Sequence, residues 1–387
     1  MRKIQDRILE KASYARIPIM CSFELLPVCN LQCKMCYVRK SMDHVRKNGG
    51  LKDGDWWLEL AREGVKQGLL YPLLTGGEPF LHPDFDRILA GMLDMGLQVS
   101  INTNGTMIDR KWAEFLNIHR PVRINLTLYG ASRETYARLC GNADAYDQVL
   151  TAVSLLKEFG IPLKFNCSIT PDNVADLPAM IAYAKEQGCP IQVATYMFPP
   201  LRRDESMVGQ NDRLSPEEAA LARVTADHLQ AEPGWFVGQA MRFQQFVPLD
   251  REPWTMGCGT EEGMRCRAGL CSLWVDWQGN FSNCGMYPSA TTALQGSTFA
   301  ESWKQIVEAT ANVRYEPACF SCPNRPLCHP CIAMVYNECG AHTGRPEYMC
   351  HMNQALSTYY AQFVREYYPD IAPVPVTLQD PSDTCEI

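Results

Sequence analysis

The chain has 387 residues, 46% of them hydrophobic and 20% charged, with a net charge of −7. That length and apolar content suit two or three folded domains with a large core, and they exclude a disordered chain. The acidic balance argues against a nucleic-acid partner, and no apolar run reaches the roughly 18 residues that span a bilayer, so no membrane partner is expected.

Residues 1–19 carry basic side chains but no apolar signal core, and read as an N-terminal helix of a cytoplasmic protein. Short apolar runs then alternate with amphipathic stretches. Candidate strands are 21–26, 71–76, 97–102, 122–128, 162–169 and 190–197; helix-like segments between them are 55–68, 84–96, 145–160 and 174–188. Several of these end in glycine, a common helix stop. Strand–helix alternation at this spacing predicts parallel β/α units. Six such units make an α/β fold, a partial (β/α)6 TIM-like barrel over 20–231, with its chemistry on the loops after the strands. Residues 199–215 look like a loop, and Ser215-Pro216 starts a helix to 231. Residues 232–257 read as an irregular connecting segment, 258–350 as a small cysteine-rich domain, and 351–387 as a closing helix and proline-rich tail.

Eighteen cysteines are many for a reducing compartment, where disulfides do not persist, and two dense groups point to metal. The first is Cys29-x3-Cys33-x2-Cys36, directly after the first strand. Three thiolates leave tetrahedral zinc one ligand short unless His44 completes it. A four-iron cluster can use three thiolates and keep one iron open for a small molecule. Downstream, Gly76-Gly77-Glu78-Pro79 follows the second strand, where two glycines allow close backbone approach.

This pattern resembles the radical S-adenosylmethionine (SAM) superfamily. The resemblance implies that Cys29, Cys33 and Cys36 hold a [4Fe–4S] cluster whose open iron binds SAM, and that an electron from it cleaves SAM to methionine and a 5′-deoxyadenosyl radical. It implies SAM contacts from Gly76, Gly77, Glu78 and Pro79, from Tyr37 near the adenine, from Asn102, Thr103 and Asn104 toward the ribose, and from Thr127 and Arg138. Asn166 and the loop near Thr195 are further candidates.

The second group contains Cys266-x12-Gly279-x4-Cys284, whose WVDWQGNF core reads as a hairpin with a Gln-Gly turn. Cys319-x2-Cys322-x5-Cys328-x2-Cys331 and Cys350 follow. A zinc-binding module is the plain alternative. The spacing resembles the SPASM extension of radical SAM enzymes, except that Cys331 comes one residue early. The resemblance implies two auxiliary [4Fe–4S] clusters. Cys319, Cys322, Cys328 and Cys350 would bind the outer one; Cys266, Cys284 and Cys331 would bind the inner one, with Cys258 as its fourth ligand. Cys271 and Cys339 are left over as free thiols, and Cys21, Cys140, Cys167, Cys189 and Cys385 match no motif position.

SPASM enzymes mostly act on peptides or proteins. The expected function is therefore oxidative maturation of a peptide or protein substrate, such as crosslinking, with electrons from a partner such as flavodoxin or ferredoxin. Formylglycine formation of the anaerobic sulfatase maturase type is one alternative, but the acidic residue that group places after the hairpin cysteine is Gly285 here. A non-catalytic Fe–S electron carrier is another. No acid or base catalyst is identified.

Overall fold

The computed structural model describes residues 4–245, 264, 266–293, 298–320, 322, 324, 328 and 331–373. Its strands are β1 (Met20–Glu24), β2 (Tyr71–Thr75), β3 (Ser100–Thr103), β4 (Arg123–Thr127), β5 (Leu163–Ser168), β6 (Ile191–Ala194), β7 (Ser272–Val275), β8 (Asn280–Cys284) and β9 (Tyr287–Ala293). Helices in the first half are α1 (Ile4–Ala15), α2 (Met42–Lys47), α3 (Gly54–Lys66), α4 (Phe85–Asp94), α5 (Arg110–Ile118), α6 (Arg133–Cys140), α7 (Ala145–Glu158) and α8 (Leu177–Glu186). The second half adds α9 (Pro216–Gln230), α10 (Pro233–Gln245), α11 (Phe299–Ala311), α12 (Pro317–Phe320), α13 (Ile332–Cys339) and α14 (Glu347–Tyr367).

One nine-stranded sheet runs β6-β5-β4-β3-β2-β1-β7-β8-β9. β1 to β6 are parallel and in sequence order, the partial barrel expected from the strand–helix alternation. β7 adds to β1 in parallel and then turns back antiparallel into β8 and β9. The cysteine-rich region thus continues the barrel's own sheet, a pairing between distant segments that no local pattern in 258–350 signals.

Side chains alternate across a strand, so register partners share a face. Val275, Phe23, Leu74, Ile101, Ile124 and Leu163 align across β7-β1-β2-β3-β4-β5 and are all buried. They belong to one continuous core with Trp57, Phe85 and Leu156 of the covering helices. The opposite face is polar: Asn102, Asn125 and Lys164 align, as do Thr127, Asn166 and Gln192. Across β3 to β6 the face away from the helices is thus polar, which is where a ligand chamber belongs.

Residues 233–245 correct the irregular segment expected there: they form α10, with Pro233 in its first turn and Phe236, Val237, Ala240 and Phe243 buried. The aromatic content that looked irregular is a helical stripe. Residues 246–257 lie outside the described residues. α11, unforeseen, starts at a capping box in which Thr298 and Glu301 satisfy each other's backbone N–H groups. The closing helix α14 begins a turn before the expected 351 and packs on α9 and α10. Among the described residues no helix is long and apolar enough to cross a membrane.

A buried ion pair joins the barrel to α13. Arg213 donates to both oxygens of Glu338, at 2.5 and 2.9 Å, and its guanidinium lies 4.0 Å from the Tyr348 ring centre. Both side chains are less than a tenth exposed. Removing one partner strands a buried charge, so Arg213→Met is expected to cost about 3–5 kcal/mol, read as a lower urea midpoint. Arg110→Met, which breaks an exposed pair with Glu158, is expected to leave the midpoint unchanged.

Candidate active site

Residues 27–40 contain no regular structure beyond turns, yet carry Cys29, Cys33 and Cys36. The loop takes its shape from the elements around it. Gln32 N–H and Lys34 N–H donate to the carbonyls of Cys140 and Leu139, at 2.8 and 3.1 Å, using acceptors that the last turn of α6 leaves open. Lys40 N–H bonds the Pro27 carbonyl at 2.9 Å and closes the loop on itself. Arg203, after β6, donates to the carbonyls of Lys34 and Cys36 at 3.4 and 3.1 Å.

The Gly-Gly-Glu-Pro turn holds the other flank. Gly77 N–H bonds the Leu26 carbonyl at 2.7 Å, and Glu78 N–H bonds the Val28 carbonyl at 2.9 Å. Gly76 has φ +148°, a conformation side chains disfavour, and a methyl on Gly77 would overlap the Val28 carbonyl. These glycines serve backbone-to-backbone contact with the cysteine loop. Glu78, fully buried, accepts from Thr103 Oγ1 at 2.8 Å, Asn104 N–H at 2.8 Å and Phe80 N–H at 3.2 Å. It ties the end of β2 to the end of β3. Burial pushes its carboxyl up to about 7, against those donors.

The remaining candidates divide. Asn104 Nδ2 donates to Asn30 Oδ1 at 2.9 Å and reaches the Cys29 sulfur at 3.6 Å, so it belongs to the cysteine loop. Asn102 accepts from Asn125 at 2.8 Å on the polar face, and Thr127 lies on that face at the end of β4. Asn166 Oδ1 is buried there without a hydrogen-bond partner, an acceptor open to a ligand's donor. Thr195, after β6, is buried. Arg138 bonds Thr135 and the Asp172 carbonyl, at 3.2 and 3.0 Å, and is engaged within the structure. Tyr37 packs against the apolar cluster that holds Met286 and Tyr287, with Cys36 and Cys284 in its surroundings. His44 stacks edge-on to Trp277 at 6.2 Å.

Residues 23–196 match the family model of the radical SAM superfamily. The chain carries a radical SAM domain. It is 24% identical over 350 residues to an AdoMet-dependent heme synthase of Methanosarcina barkeri, covering 86% of this chain and 96% of that one. A PqqA peptide cyclase of Granulibacter bethesdensis is 30% identical over 165 residues, 43% of each chain. SuiB of Streptococcus suis, solved with SAM, shares the fold at TM-score 0.66 and 16% identity, over 89% of this chain and 81% of that one.

The family implies a [4Fe–4S] cluster and SAM, and the thiols of the radical SAM domain fit a cluster. Leu31 N–H and Arg39 N–H each point at a sulfur, Cys29 and Cys36, at 3.4 Å. Such N–H···S bonds favour thiolates and tune cluster ligands. Burial pushes the Cys29 thiol up to about 12, so its thiolate form calls for a cation such as bound iron. Among the described residues no three His, Cys, Asp or Glu side chains converge on a single metal ion; a four-iron cube takes one thiolate per iron and needs no such convergence. Cys33 hydrogen-bonds Cys140 and Tyr129, which places Cys140 beside the loop although no motif marks it.

In the second group, Cys266, Cys284 and Cys331 border one apolar cluster, and Met286 N–H points at the Cys284 sulfur at 3.4 Å. Cys319 and Cys350 lie in the surroundings of Cys339, and Arg345 bonds Cys350 with Cys322 nearby. Cys339, left over in the motif, is thus a neighbour of the outer group. Cys328 bonds the Asn324 carbonyl at 2.8 Å through its backbone. Cys271 lies under α1, accepting from Ser13 at 3.1 Å, and Cys258 falls outside the described residues. The expected hairpin is present, its turn held by Asp276, which accepts from the N–H groups of Gln278 and Asn280.

Two outcomes check this geometry. Gly77→Ala is expected to abolish iron retention on the first three cysteines, read as loss of SAM-responsive EPR signal, while Gly96→Ala, at an exposed turn with open space, retains it. Glu78 holds its proton better in the folded apo chain than in the unfolded one, so its contribution is full at pH below about 4.5 and fades as pH rises through about 7. Between pH 5 and 8 the reduced apo protein should lose up to about 3 kcal/mol more than Glu78→Gln, measured by urea unfolding.

Proposed function

We propose that this radical SAM enzyme oxidatively matures a peptide or protein, with one SAM-binding cluster on Cys29, Cys33 and Cys36 and two auxiliary clusters on the downstream cysteines. The observation that carries this reading is that β7 and β8, which lead into Cys284, continue the sheet whose β1 leads into Cys29. The hairpin that ends in Cys284 is thereby held beside the strand that leads into Cys29. When bound, the cluster and SAM supply the hydrogen-abstracting radical chemistry.

The chain's residues do the rest. The polar row Asn102, Asn125, Lys164 and the row Thr127, Asn166, Gln192 orient a substrate against the ends of the strands. Tyr37 and Tyr287 shield the ground between the two thiol groups from water. SuiB has been solved with its precursor peptide SuiA, which supports a peptide substrate here. A reductant such as flavodoxin or ferredoxin would supply electrons.

The formylglycine alternative needs a carboxylate after Cys284. A Cβ on Gly285 would stand 2.7 Å from the Trp274 ring, so no side chain fits. A second reading, chemistry on a tetrapyrrole, is favoured by one observation: the match to the heme synthase spans 96% of that enzyme.

The experiment is anaerobic reconstitution, dithionite and SAM, with 5′-deoxyadenosine measured by mass spectrometry. Wild type is expected to form it and the Cys29→Ala variant to lose it by at least about a hundredfold; fully clustered wild type that forms none is an electron carrier. Deuterated candidate substrates then separate the readings. Label should pass into 5′-deoxyadenosine from a peptide encoded beside this chain. Passage from an iron-porphyrin precursor instead would transfer the assignment to tetrapyrrole chemistry.

A further inference from the structure

A second buried ion pair lies between the two thiol groups. Glu24 ends β1 with no exposed surface. Its two oxygens accept from the two forks of Arg202, each at 2.7 Å, and one also accepts from the Trp274 indole N–H at 3.0 Å. Arg202 reaches the Gly285 carbonyl at 3.4 Å, and its guanidinium lies 5.7 Å from the centre of the Tyr37 ring. Tyr37 follows Cys36 and Gly285 follows Cys284, so this one cation contacts the residue after a cysteine of each group, while Arg203 and Arg39 are the cations nearest Cys36 and Cys33.

A buried ion pair is seldom a better stabiliser than apolar side chains of the same size. A unit charge in a dry interior, however, acts strongly on any neighbouring charge. The reduction potential of an iron–sulfur cluster depends on the net charge around it. An uncompensated Arg202 would favour the reduced, more negative cluster. A low potential is what keeps the reduced cluster a strong enough donor to split SAM.

We propose that Glu24 is a positioning and charge-balancing residue: it aims Arg202 between the two cysteine sites and cancels its charge, which holds the potential of the SAM-binding cluster low. This rests on the cluster assignment of the radical SAM domain.

The test is a redox titration followed by EPR on the full, anaerobically reconstituted protein. The relevant signal is the one that changes when SAM is added. Glu24→Gln keeps the shape and an acceptor for Arg202 and Trp274 but removes the carboxylate paired with the cation, leaving Asp276 as its remaining acidic neighbour. At a fixed applied potential its reduced fraction should rise about tenfold. The double variant E24Q/R202M should return toward wild type. Trp274→Phe disturbs the same packing but leaves both charges, and should hold the wild-type potential. The proposal falls if E24Q reduces at the wild-type potential, if W274F shifts as far as E24Q, or if the double variant stays with E24Q. Should E24Q not take up iron, Arg202→Met decides: losing the cation must not make reduction easier, and an upward shift overturns the proposal. Iron-loaded wild type without a SAM-responsive signal overturns the cluster assignment and this proposal together, whereas a responsive signal unmoved by E24Q overturns this proposal alone.

Discussion

A loop that must present three thiols at fixed positions, and has no helix or strand of its own, depends on borrowed backbone bonds. Residues 27–40 borrow them from four places: the β2 turn through Gly77 and Glu78, the end of α6 through Leu139 and Cys140, Asn104 after β3, and Arg203 after β6. The Gly77–Glu78 turn and Asn104 follow directly on the C-terminal ends of β2 and β3, and Leu139 and Cys140 close α6. Parallel strands deliver their C-terminal ends to one rim, and the rim is what makes the loop rigid. The glycines of the Gly-Gly-Glu-Pro turn follow from the same constraint, since only a bare backbone comes close enough to Leu26 and Val28.

The sheet sets the hairpin of the second cysteine group beside the strand that leads into the first. Because β7 pairs with β1, the hairpin that carries Cys284 is held by ladder hydrogen bonds to the strand that leads into Cys29. Two buried ion pairs reinforce that junction from opposite sides, Glu24–Arg202 under the hairpin and Arg213–Glu338 under α13. Buried pairs discriminate strongly against displacement, because separating them strands a charge away from water. The junction is therefore well suited to keeping the two thiol groups at constant separation.

Much of this was legible in the residues. Short apolar runs alternating with amphipathic stretches located β1 to β6, and the Gln278–Gly279 turn located the hairpin. The Cys29, Cys33, Cys36 spacing marked the loop, because three thiols so close along the chain reach one small site without help from the rest of the fold. α10 carries no plain apolar period because its buried stripe sets aromatics among polar residues, and α11 is announced along the chain only by its Thr298–Glu301 box. Tyr37, expected near the adenine, packs against the cluster of Met286 and Tyr287, a contact that its neighbours along the chain do not encode.

What the sequence determined by itself is local: strand and helix periods, caps, turns and thiol spacings, all set by interactions within a few residues. What only the tertiary structure decided is which distant groups meet. The pairing of β7 with β1, the Arg202–Glu24 fork across 178 residues and the contact of Cys140 with Cys33 join segments with no shared pattern. Such contacts are selected by packing and desolvation of the whole chain. An arginine in a polar loop carries no mark of the buried carboxylate it will neutralise until the fold closes around both.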